Sequence, residues 1–134
     1  MYLSVLNDKE KVLFLELVYG IAISDGEYCA KEQAIISGYC QEMQISFDEN
    51  VTLKPVDDII KELNAESNDT VKKIVVFEAI GLAMSDNNYD DGERKIISKM
   101  ESVFKLAPDF GQKCEKILNE YIFFQKKINK LILG

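Results

Sequence analysis

Four carboxylates recur at matching places in this 134-residue chain. Asp25 lies seven positions before Glu32, and Asp86 lies seven positions before Glu93. Glu27 and Asp90 sit in the same two stretches. Carboxylates gathered in one place repel one another unless a cation joins them. Oxygen ligands suit hard divalent ions such as Ca²⁺ and Mg²⁺, and Zn²⁺ also accepts carboxylates. The chemistry on offer is an acidic, bipartite divalent-cation site. Its expected ligands are Asp25, Glu32, Asp86 and Glu93, with Glu27 and Asp90 secondary.

Other chemistries are poorly supplied. There is no histidine, which removes the commonest general base and every Ser-His or Cys-His nucleophile pair. No Gly-rich phosphate loop is present, so no catalysis is expected. An EF-hand register fits only in part: Asp86, Asn88 and Asp90 take loop positions one, three and five. Asp91 then stands where the loop needs glycine, and Ile97 where it needs glutamate. The three cysteines, Cys29, Cys40 and Cys114, have no CxxC spacing. They read as reduced thiols and place the protein in the cytoplasm.

The same acids have an architectural reading. Asp90 and Glu93 fit an N-cap followed by an N3 glutamate, each side chain bonding the other's backbone N–H. Cys29 and Glu32 repeat the spacing with a poorer cap. Asp25 and Asp86 can close Asx-turns on neighbouring N–H groups. The motif either binds a cation or only shapes and caps the helices around it.

The elements that hold these residues read as helices. VLFLELVYGIAIS (12–24) carries one charge, Glu16, and IVVFEAIGLAMS (74–85) carries one, Glu78. Both are apolar on nearly every face, as central buried helices are. Asn7 or Asp8 can cap the first, and Asn68 or Asp69 the second. Each runs into an acidic loop and then an amphipathic helix, 30–44 and 91–104. Pro55 with Asp57 and Asp58 marks a short connecting helix. Pro108-Asp109 starts a last one, which Gly134 can end. No stretch reads as a strand. The expectation is one all-α domain over 1–134, a bundle of about six helices: repeat one at 8–44, the connecting helix at 55–65, repeat two at 69–104 and a C-terminal helix at 108–133.

The two halves repeat. Shifting the chain by 61 aligns GIAISDGEYCAKEQAIIS (20–37) with GLAMSDNNYDDGERKIIS (81–98). Nine positions are identical, including Gly20/Gly81, Asp25/Asp86, Tyr28/Tyr89 and Glu32/Glu93. The two helix–acidic loop–helix units are expected to be related by a pseudo-twofold, with the central helices crossing at the two glycines. Glu16 and Glu78 are expected at the wet edges of those helices.

The pattern A-x-S-D-G-E-Y-x-x-x-E, with its second copy A-x-S-D-N-N-Y-D-D-G-E, resembles the TerB-like family. That family takes its name from bacterial tellurite-resistance proteins, and related domains occur in membrane-anchored DnaJ-type cochaperones. The resemblance covers roughly Val12 to Phe104. In the second copy Asn87-Asn88 replaces Gly-Glu. It implies an all-α fold carrying the motif twice, and a role in stress or metal-related responses without an established enzymatic activity.

Charge narrows the partners. The formal net charge of −7 argues against nucleic acid. No apolar run is long enough to span a membrane, and MYLSVLNDKEK is not a secretory leader. The C-terminal stretch FFQKKINKLILG has three lysines and no acid. It can close the core, contact a protein partner or a second copy, or rest on a membrane surface.

Overall fold

The computed structural model describes residues 2–24, 28–48, 54–85 and 89–134. Among these there is no strand. A 3-10 turn at Leu3–Val5 precedes six helices: α1 (Asp8–Ala22), α2 (Ala30–Met43), α3 (Val56–Glu66), α4 (Asp69–Ala83), α5 (Asp91–Val103) and α6 (Phe110–Leu133). The all-α class read from the periodicity is the observed one.

The helix starts follow from their caps. Asn7 Oδ1 accepts the Glu10 N–H at 2.9 Å, and Glu10 Oε1 accepts the Asn7 N–H at 2.9 Å. Asn68 accepts the Val71 N–H at 2.9 Å and opens α4. Glu10 is buried, and its second oxygen accepts the Ser67 hydroxyl at 2.7 Å. One carboxylate thus caps α1 and ties it to the α3–α4 junction.

The two apolar helices form the centre. Phe14, Leu15, Leu17, Val18 and Ile21 of α1 are buried with Val75, Val76, Ala79, Ile80 and Leu82 of α4. α1 packs on α2, α3 and α4, while α4 packs on α5 and α6. Tyr39 of α2 reaches across this core. Its ring meets Phe14 edge-on at 5.2 Å, and its hydroxyl donates to the Glu78 carbonyl at 2.9 Å.

The repeat extends past the aligned motif, into the ends of α2 and α5. Gln44 and Lys105, 61 residues apart, both have φ of 57°. The next N–H turns back in each case, Ile45 to the Cys40 carbonyl and Leu106 to the Glu101 carbonyl, both at 3.0 Å. This is a Schellman-type exit. Neither position is glycine, so each costs roughly 1–2 kcal/mol of backbone strain. After the turns the halves diverge. Phe47 lays its ring against Tyr19 of α1, centroids 5.2 Å apart. The second half instead starts α6, which runs along α4.

The glycine crossing is not observed. A Cβ on Gly20 would meet Val56 Cγ2 of α3 at 2.9 Å, whereas one on Gly81 would meet nothing within 4 Å. Gly20 admits the connecting helix, not α4. Gly81 lines a cleft between α4 and α6.

Candidate functional site

Glu32 and Glu93 occupy the same place in their respective helices. Cys29 is the N-cap of α2: its Sγ accepts the Glu32 N–H at 3.4 Å, and Glu32 Oε1 accepts the Cys29 N–H at 3.3 Å. Asp90 caps α5: its Oδ1 accepts the Glu93 N–H at 2.8 Å, and Glu93 Oε1 accepts the Asp90 N–H at 3.3 Å. Both glutamates are 4 % exposed. Each carboxylate therefore reaches back toward the loop rather than into solvent, and satisfies an N–H that the helix start leaves open.

Of the six predicted site residues, Asp25, Glu27 and Asp86 lie outside the described residues. Glu32, Asp90 and Glu93 lie within them, at the two helix starts. Among the described residues no three acidic or thiol side chains come together as a metal-binding group.

The ends of the central helices also repeat. Ser24 Oγ donates to the Ile21 carbonyl at 2.7 Å, and Ser85 Oγ to the Leu82 carbonyl at 2.6 Å. Tyr28 meets Tyr19 edge-on at 5.1 Å. Its counterpart Tyr89 lies 4.0 Å under the Arg94 guanidinium. That guanidinium also bonds Glu115 of α6 at 3.3 Å. Burial, then the Glu115 carboxylate, pushes the Tyr89 phenol up to about 12. The repeated serines, tyrosines and glutamates all serve to bring the chain out of one helix and into the next.

Glu16 and Glu78 differ. Glu16 is half-buried, as a wet-edge position requires, whereas Glu78 is only 7 % exposed and lies beside the cleft between α4 and α6. The sequence reading missed two features. The Asn7-x-x-Glu10 spacing that signals a capping box was present but not weighed. The cleft, of about 520 Å³ and lined by Ile74, Phe77, Gly81, Ile117, Leu118 and Tyr121 among others, has no sequence signal of its own.

The caps differ in strength. Asp90→Ala is expected to lower stability by roughly 0.5–2 kcal/mol, while Cys29→Ser, which supplies a better acceptor, raises it by about 0.5 kcal/mol. Urea unfolding of the two variants checks both signs. Equal destabilisation by the two changes contradicts the capping geometry.

No family model matches the sequence, and no curated protein matches it. Among solved structures the chain is similar to the crystal structure of a tellurite resistance protein from Nostoc punctiforme. The TM-score is 0.65 at 16 % identity, over 97 % of this chain and 84 % of that one. At that identity the likeness shows the fold.

Proposed function

We propose that this chain, which has the fold of a tellurite resistance protein, is a noncatalytic interaction protein of the tellurite-resistance, stress-response type. It acts in the cytoplasm by binding a protein partner, and its acidic repeat builds the helix starts. The observation that carries this reading is the pair of matched capping boxes, Cys29–Glu32 and Asp90–Glu93, each with its glutamate buried. A residue pattern repeated for capping needs no ion. The exposed apolar length of α6 is the surface such a partner would take.

A second reading keeps a divalent-cation site at the loops. The repeated Asp-(x)₆-Glu spacing favours it, with Asp25 and Asp86 as ligands beside Glu32 and Glu93. Ca²⁺, Mg²⁺ or Zn²⁺ are the candidate ions. A cation held by the native state raises the melting temperature with its concentration. At one hundred times Kd the gain is about 2.7 kcal/mol.

The experiment is thermal melting with millimolar Ca²⁺ or Mg²⁺ and micromolar Zn²⁺, on the wild type and on Asp25→Asn and Asp86→Asn. The expected result is an unchanged wild-type melting temperature with all three ions. A concentration-dependent rise that both variants abolish, while remaining folded, establishes the cation site instead.

A further inference from the structure

α6 does not end where the body of the protein ends. Cys114 packs into the core at 4 % exposure, yet every residue from Asn119 onward is exposed. The apolar stripe nevertheless continues. Cys114, Ile117, Tyr121, Phe124, Ile128 and Leu131 follow one another at spacings of three and four, the alternation of a two-helix seam. Ile117, Phe124 and Leu131 are 56, 62 and 83 % exposed. The face that seats α6 on α4 thus runs past the end of α4 at Ala83 with nothing against it in one copy of the chain.

We infer that a second copy of this chain covers the stripe, with the two α6 helices antiparallel and the tail of each in the α4–α6 cleft of the other. This rests on the reading of the chain as an interaction protein and specifies its partner. Charge decides the direction. Antiparallel seams pair first-position with fourth-position residues of the heptad. One register does so throughout: Tyr121 against Phe124, Ile117 against Ile128, and Cys114 against Leu131 of the second copy. The same register sets Glu120 beside Lys127 of the second copy, once on each side of the seam. A parallel pairing sets Glu120 beside Gln125 and Lys127 beside Ile132, where no charge is matched. The contact is self-complementary, as a twofold dimer requires.

The cleft fits the other end of the contact. Its walls are Ile74 and Phe77 of α4 with Ile117 and Leu118 of α6, and Gly81 leaves its floor open. In the antiparallel register Ile128 and Leu131 of the second copy reach the level of Ile117 and Cys114. The exposed stripe summed over two copies is on the order of 1,000 Å², near the lower limit for a specific interface. The lysine side of the tail does not make a clean lipid-facing amphipath. Lys127 Nζ lies over the Phe123 ring at 4.9 Å, so the basic and aromatic groups share one face.

Sedimentation of the full chain over a range of concentrations tests the proposal. The wild type is expected to be a dimer in equilibrium with monomer. Phe124→Asp or Gly81→Leu is expected to weaken it at least tenfold with the helical signal retained, since both positions are exposed or open. Glu120→Lys and Lys127→Glu should each weaken it roughly three- to tenfold, and the two together should restore it. A wild type that stays monomeric at every concentration overturns the proposal. A dimer indifferent to both single charge reversals overturns the antiparallel register and leaves the interaction reading standing. A monomer that binds phosphatidylserine-containing vesicles overturns the second copy as occupant and assigns the stripe to a lipid surface.

Discussion

Raising the pH from 8 to 11 is expected to lower the unfolding free energy by about 3 kcal/mol, with the loss beginning near pH 9. Burial, then the carboxylates of Glu101 and Glu115, pushes the Cys114 thiol from 9.0 up to about 11. Burial, with Glu78 and Glu42 adding to it, holds the Tyr39 phenol far above its usual value of 10.0. Both groups are neutral when protonated, and the folded state keeps the proton longer than the unfolded chain does. Their contribution is therefore complete below the unfolded values. It falls as pH rises from about 9 for the thiol and from about 10 for the phenol. Each unit of separation is worth about 1.4 kcal/mol. Tyr89 acts in the same direction, but it is half-exposed and solvent screening reduces its share. Urea midpoints at pH 8, 9, 10 and 11 check the slope. In Cys114→Ala the fall should start one unit higher. A flat profile to pH 11 rules out both buried protons.

The second large effect belongs to the ring pair at the centre. Phe14→Ala is expected to cost about 3–5 kcal/mol, a large fraction of a typical domain's 5–15 kcal/mol. Phe14 is fully buried, and its removal also deprives Tyr39 of its edge-on partner. Tyr39→Phe keeps the ring and loses only the bond to the Glu78 carbonyl, so about 1 kcal/mol is expected. If thermal melting ranks the two variants in the opposite order, the hydroxyl rather than the packing holds α2 to α4.

The helices were legible because each carries its own signals. Asn7, Asn68 and Asp90 stand where a cap must stand, and the long apolar runs 12–24 and 74–85 leave no alternative to burial. The two N3 glutamates were legible for the same reason, since a capping box is a matter of four consecutive residues. What failed to show in the sequence depends on partners distant along the chain. Gly20 and Gly81 are identical in the repeat, yet one faces Val56 and the other faces open space. The difference comes from the connection after each unit, not from the unit. The left-handed exits at Gln44 and Lys105 lack the glycine that usually marks them. The alignment shows no sign of them, because the repeat there is one of backbone shape and not of residue type. The reach of α6 beyond the body was hidden too. Its apolar spacing is the same where it is buried at Cys114 and where it is bare at Leu131.

The twin exits also divide the molecule into parts that are free to change and parts that are not. Up to Gln44 and Lys105 the halves obey one plan, with matching starts, turns and terminations. Beyond those points the plan stops: one half continues into the segment holding Phe47, the other into a 24-residue helix. A duplicated unit with a standard outlet behaves like a connector with a fixed plug. Whatever is attached at the outlet can lengthen, shorten or be replaced while the four helices behind it keep their seating. Novelty in this architecture accumulates downstream of the plug, and the second outlet is where this chain has placed its largest departure from symmetry.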